Sequence, residues 1–294
     1  MAGDDDGVGR QVDLEGLVER DRRRVRPRPA VGAHLQEHPL AYVNFELKPG
    51  HIGLADAESK KYLLPWILSG RGKLSSNVGE ALAHHRTLPD LPAPDVQFVF
   101  APAYFFDHGA GEHPNPALTI AASYWTPKSR GSVMARSADP AVAPAIDLAL
   151  YRDPDDMAAM VRSVRFAREI AQTGPLSEAI AHEINPGAAA QSDAEIEAYI
   201  REHTQHTYHV ACTARIGAPG EGAVDPQLRV HGVEGLRVAD TSVMPTITRA
   251  NTNAPAIMIG ERCADFIRRP GGGSVPGSAT AAATATSAGT RSSS

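Results

Sequence analysis

The sequence predicts an α/β protein of the α+β kind, an antiparallel sheet with helices on one face. Three observations lead there. Leu40-Ala-Tyr-Val-Asn-Phe-Glu-Leu47 alternates apolar and polar residues as a half-buried strand does. Pro94 to Pro102 repeats that pattern, with Val96, Phe98 and Phe100 on one side. After Asp153, apolar residues recur every three or four positions at Met157, Met160, Val161, Val164, Ala167 and Ala171, the stripe of a helix that covers a sheet.

The remaining elements follow from local chemistry. Asp56 to Ile67 reads as a helix that Pro65 should end or kink. Leu118 to Trp125 and Gly131 to Ala135 are strand candidates around the turn at 127–131. Asp153 can cap the long helix, with Pro154 in its first position. Ser192 with Glu195 forms a capping box for a helix to about Arg201. Gly235 to Ala239 is expected to be a short buried strand, and Pro255 to Ile267 a final helix.

Composition narrows the function classes. The 294 residues are 42% hydrophobic, enough for one or two buried cores. A net charge of -5 with mixed signs argues against a nucleic-acid partner, and the arginines of 20–28 read as a solvated arm. Cys212 and Cys263 are the only cysteines and lack metal or redox spacing, which suits a reducing, cytoplasmic setting. No run is apolar for the roughly 18 residues that a membrane span needs. The Gly, Ser, Thr and Ala tail of 271–294 predicts disorder, and residues 1–29 a poorly ordered start. Oligomeric state is not legible.

The chemistry concentrates in three ordered blocks: His209-Val-Ala-Cys-Thr-Ala-Arg-Ile-Gly217, Val224 to Pro245, and Asn251-Thr-Asn-Ala-Pro-Ala-Ile-Met-Ile-Gly260. In that order and spacing they resemble the carboxy-terminal signature of the glucose-methanol-choline (GMC) flavoprotein oxidoreductases, most closely the choline dehydrogenase branch. Pro29-Ala-Val-Gly-Ala-His-Leu-Gln-Glu-His-Pro39, Thr126 to Val133 and Ser137 to Pro140 extend the likeness over most of residues 30–269. Val210, Ala214 and Ile216 replace the family's usual Pro, second Cys and Met. The resemblance implies an FAD cofactor, a small alcohol substrate and hydride transfer from a CH-OH group.

It also implies roles for particular residues. His209 takes the position of the base, and an imidazole with an ordinary pKa near 6.5 can accept the hydroxyl proton at neutral pH. Asn253 maps onto the second active-site position, where its amide can hydrogen-bond the substrate oxygen. Asn253, Ala254 and Pro255, at the positive end of the last helix, are carried over as flavin contacts, because reduced flavin is negative on its pyrimidine edge. Asp240 and Thr241 fall in the family's cofactor-touching turn.

The family's Gly-x-Gly-x-x-Gly phosphate turn has no counterpart here, since Gly7-Val-Gly9 follows three aspartates and lacks the third glycine. The expected organisation is therefore a remnant of the FAD domain at 30–45, a substrate-binding domain at 46–205, and the closing segment of the FAD domain at 206–270. Plainer readings stand beside this one. The chain could be a truncated, non-catalytic remnant that cannot retain FAD, or a metal hydrolase using His203, His206 and His209, although residues six apart on a helix diverge and no acid or thiol completes that set. Asn253 alone would be a helix cap, Asp240 a turn stabiliser, and the two cysteines core residues.

Overall fold

The computed structural model describes residues 30–51, 53, 54, 57 and 59–269, so the expectations for 1–29 and 271–294 lie outside the described residues. Its centre is an antiparallel sheet. Strands β2 (Pro39–Leu47), β3 (Ala81–His85), β4 (Val96–Ala101), β5 (Ala117–Tyr124) and β8 (Ile180–Asn185) lie in the order β3-β4-β5-β2-β8. A two-residue strand, β9 (Gln205–His206), pairs with the start of β2 through Pro39↔His206 and Leu40↔Gln205. A separate small sheet joins β1 (Ala33–Leu35), β6 (Gly131–Met134) and β7 (Ala145–Asp147) in the order β1-β6-β7. The strands on either side of the turn at 127–131 thus belong to different sheets.

The three alternating strands have two faces because side chains point to opposite sides at successive positions. Val43, Val96, Phe98, Ile120 and Ala122 belong to the main core. Over them lies helix α2 (Pro154–Ala171), and against α2 lies α4 (Asp193–His203), which contributes Ile196 and Ile200. The predicted stripe on α2 is buried at every one of its six positions. Asp153 caps this helix by accepting from the Asp155 amide at 2.9 Å. The Ser192 and Glu195 capping box of α4 is complete in both directions. Between them, the short helix α3 (Gly174–Ala179) leads into edge strand β8. Arg168 on α2 holds Glu183 of that strand with a forked pair, Nε to Oε2 at 2.9 Å and Nη2 to Oε1 at 2.8 Å.

A second, smaller core gathers Ala211, Cys212, Val224, Val243, Ile247, Ile259 and Cys263 beneath the last helix, α5 (Asn253–Arg268). Both cysteines are free and buried within it. Most of its backbone is turns tied by single bridges, so α5 supplies most of its regular structure.

Three expectations need correction. Helix α1 (Lys60–Ser69) passes through Pro65 and ends only at Gly70, whose left-handed φ of 64° lets its amide close on the Trp66 carbonyl. Its expected start at Asp56 is outside the described residues. Residues 235–239 form no buried strand: they meet the rest through the lone bridge Arg229↔Arg237 and a few backbone bonds, and Leu236 stays exposed. Helix α5 begins two residues before Pro255, which takes its third position; the first amides of a helix have no intrahelical acceptor, so a proline there forfeits nothing. Among the described residues, no helix is long and apolar enough to cross a membrane.

Met160 is fully buried between sheet and α2. Met160→Ala should destabilise the chain by about 2–5 kcal/mol, read as a lower urea midpoint with the far-ultraviolet circular dichroism spectrum retained.

Candidate active site

The sheet's second face floors a cavity. Because β4, β5 and β2 pair in continuous register, the residues opposite the core side fall in cross-strand rows: Gln97, Ser123 and Leu40, then Val99, Ala121 and Tyr42, then Ala101, Thr119 and Asn44. Alanine, serine and threonine at the middle of these rows leave space above β5. The cavity, of about 390 Å³, is closed on other sides by Val78, Phe105, His108, Tyr208, His209 and Asn251. Asn44 lies under its far end, accepting from Thr119 Oγ1 at 2.6 Å and donating to the Phe105 carbonyl at 3.0 Å.

His209 is brought to the cavity by a buried carboxylate. Glu37 Oε1 accepts from the His38 amide at 2.8 Å, the His209 amide at 2.9 Å and the Thr207 hydroxyl at 3.2 Å. Between the last two donors, Tyr208 adopts a left-handed backbone with φ of 60°. Such a conformation costs a bulky residue about 1–2 kcal/mol, and it turns the chain so that residues 207 and 209 both face Glu37. Below this point the block is fastened to the turn around Asp240 by three rungs, from the amides of Cys212, Ala214 and Ile216 to the carbonyls of Thr241, Ser242 and Val243.

The imidazole of His209 is held on one nitrogen and open on the other. Nδ1 lies 2.8 Å from Thr207 Oγ1 and 3.0 Å from His38 Nδ1, while Nε2 lies 3.4 Å from Asn251 Nδ2. With the ring proton on Nδ1, Thr207 and His38 can accept it, and Nε2 keeps a lone pair. Burial pushes the His209 pKa below its ordinary value of 6.5, against the opposing pull of Glu37. His38 is forced further, down to about 3, first by burial and then by the charge of His209, although the backbone groups of Thr248 and Trp125 act in the other direction. Its ring stacks on Trp125 with centroids 6.0 Å apart. Burial thus favours the neutral form of both imidazoles, and of the two it is His209 that lines the cavity.

Of the residues singled out in the sequence, His209 lines the cavity, whereas Asn253, Ala254, Pro255, Asp240 and Thr241 are not among the residues that line it. Asn253 and Ala254 are exposed at the start of α5, where their amides precede the first intrahelical bond, from Ala256 to the Thr252 carbonyl at 2.9 Å. Thr252, not Asn253, occupies the cap position, and its side chain makes no capping bond. Asp240 accepts from the Ser242 amide at 2.8 Å, and the Thr241 hydroxyl donates to the Val210 carbonyl at 2.9 Å. The histidine triplet diverges: His203 packs on Tyr199 and Phe106, His206 on His108 and Tyr208, and His209 on His38. No three metal-binding side chains converge among the described residues.

Glu37, His38, Thr207 and Asn251 were not assigned to the site from sequence. Glu37 and His38 do sit in the family-like segment before Pro39, and Asn251 opens the third block, so each was adjacent to a recognised signal.

Comparison with known proteins identifies the family. A family model described as GMC oxidoreductase matches residues 127–260. An uncharacterized GMC-type oxidoreductase of Mycobacterium tuberculosis is 37% identical over 265 residues, 89% of this chain and 49% of that protein. An oxygen-dependent choline dehydrogenase of Rhizobium johnstonii is 38% identical over 252 residues, 82% of this chain and 45% of that protein. Among solved structures, the formate oxidase of Aspergillus oryzae RIB40 superposes with a TM-score of 0.74 at 25% identity, over 81% of this chain and 47% of that one. The chain therefore belongs to the GMC oxidoreductase family. It matches the carboxy-terminal portion, spanning about half the length of the curated relatives.

His38 provides a check on the site's electrostatics. Its folded pKa of about 3 lies below the ordinary 6.5, so the unfolded chain takes up a proton first as pH falls. Stability from this group is complete above about pH 6.5 and declines from there toward about pH 3. Urea midpoints should fall across that window, and the slope should flatten in His38→Gln relative to wild type.

Proposed function

We propose that this chain forms the substrate-binding and base-bearing half of an FAD-dependent oxidoreductase that oxidises the CH-OH group of a small alcohol. The observation that carries the proposal is the His209 imidazole, held at Nδ1 by Thr207 and His38 while the residue lines a cavity. In this reading residues 46–205 bind substrate, while 30–45 and 206–270 belong to the flavin-binding side.

The start of α5 suits the ring end of a flavin. Its dipole end and its first amides, at Asn253 and Ala254, are exposed, and Val210, Ile257 and Met258 offer exposed apolar surface of the kind an isoalloxazine would cover. Asn253, Ala254 and Pro255 would hold that ring, with Asp240 and Thr241 in the adjoining turn. When bound, the flavin supplies the hydride acceptor.

The chain's own residues handle the proton. Nε2 of His209 accepts the hydroxyl proton of the substrate as its C-H bond breaks, and the amide that lines the cavity, Asn251, hydrogen-bonds the substrate oxygen, with Asn253 two residues on at the start of α5. Thr207 and His38 keep the Nδ1 proton in place so that Nε2 stays basic. Neutral His38 raises no second positive charge against the imidazolium that results. The buried floor of β4, β5 and β2 keeps water from the carbon end of the substrate.

The test is cofactor loading followed by dye reduction. Protein purified with excess FAD should be yellow and should reduce an artificial acceptor in the presence of small primary alcohols. His209→Gln should retain the colour and lose about 10²–10⁴-fold in kcat. Because the base must be neutral and its pKa is depressed, kcat/KM should rise with pH through an ionisation below 6.5 and level off above it. Protein that stays colourless with FAD would reject the proposal in favour of a chain that cannot hold the cofactor.

A further inference from the structure

The cavity beside His209 is built without formal charge. None of the described residues lining it is Asp, Glu, Lys or Arg; its ionisable groups are three imidazoles and two phenols. The carboxylate behind His206, Glu37, has a fully buried side chain and does not line the cavity; its Oε1 is committed to the amides of His38 and His209, and its Oε2, without a hydrogen bond, lies 3.9 Å from His206 Nδ1. A cation entering here would shed its hydration with no carboxylate to replace it.

Ser123 supplies a second, independent observation. It stands on the cavity face of β5, is 2% exposed, and its Oγ has no hydrogen-bond partner among the described residues. Of its two neighbours in the row, Leu40 has no polar side-chain atom, and Gln97 turns its amide nitrogen to His84 Nε2 at 3.2 Å and makes no bond to Ser123. A buried hydroxyl left alone is destabilising, and buried polar groups as a rule have partners. A hydroxyl both donates and accepts, and with no formal charge in the lining the partner that costs least to desolvate is a neutral oxygen.

We propose that the substrate is a small uncharged alcohol with a second neutral oxygen, a diol or hydroxy-ether, in place of a quaternary ammonium alcohol. This rests on the alcohol-oxidising function proposed above. The reacting hydroxyl lies beside His209 and Asn251, the hydrocarbon lies over Leu40, Val99 and Ala121, and the second oxygen meets Ser123 Oγ. A cavity of about 390 Å³ is near the lower end of the roughly 300–1,000 Å³ found for ligand sites, which fits a short molecule. The rings of Tyr42, Phe105 and Tyr208 also reach the cavity, so charged and neutral ligands of equal shape must be compared directly.

Calorimetric titration of the full chain does this without flavin or turnover. Three series of equal shape serve as probes: alkane-α,ω-diols of three to six carbons, n-alcohols in which the far hydroxyl becomes methyl, and ω-amino alcohols in which it becomes ammonium. At least one diol should bind about threefold to tenfold more weakly to Ser123→Ala than to wild type, while its n-alcohol counterpart changes by less than about twofold. Amino alcohols and choline should bind at least about tenfold more weakly than the best diol. Ala121→Leu, which fills the floor with hydrocarbon, should weaken all three series. Amino alcohols or choline binding as tightly as diols would overturn the proposal, as would diol affinities indifferent to Ser123→Ala or a chain that binds no member of any series. Diol binding with no dye reduction by FAD-loaded protein would instead sink the oxidoreductase reading and leave the ligand class standing, and dye reduction favouring choline would do the reverse.

Discussion

The site depends on one buried carboxylate. Glu37 accepts from the backbone on both sides of a chain separation of more than 170 residues, at His38 and at His209, and from the hydroxyl of Thr207 between them in space. Each bond to a charged acceptor is worth about 1.5–3 kcal/mol where its partner would otherwise be an unsatisfied buried donor. What this stabilises is a location. It sets the His209 ring edge-on to His38, 5.1 Å between centroids, and aims its other edge at the cavity. The left-handed turn at Tyr208 is the local distortion the clamp sustains.

Division of labour within the sheet follows from alternation alone. The same three strands give apolar side chains to the core under α2 and small or uncharged side chains to the cavity, residue by residue. A slip of one register position would exchange the two sets, burying Gln97, Thr119 and Ser123 against α2 and presenting Phe98, Ile120 and Ala122 to the substrate. Selection for a packed core therefore also fixes the shape of the site.

Much of this architecture was legible in the chain. The alternating strands and the stripe on α2 carry period-two and period-3.6 signals that do not depend on distant partners, and the capping box at Ser192 is local as well. Strands β3 and β8 were missed because they lie at the edges of the sheet and show no alternation: β3 is almost wholly exposed, and β8 is held by the Arg168 fork across from another element. The buried strand expected at 235–239 failed for the opposite reason, since its apolar residues look like a strand but have only one short segment to pair with. Within the site, residue 209 was legible because its whole block was recognisable. Glu37 and His38 meet His209 only through contacts across the fold, and nothing local in their segment announces those contacts.

Gln36 has a wider consequence. It exchanges backbone bonds with Ala211, and its side-chain oxygen accepts from Thr246 and the Ile247 amide, so one residue stitches the chain entering β2 to the smaller core. The sheet side of that seam is dense with ladder bonds, while the other side is mostly turns around a single helix. Amide protons should then fall into two populations of unequal protection, with His209 at their boundary: an imidazole mounted on the looser half of the molecule and pressed against the rigid one.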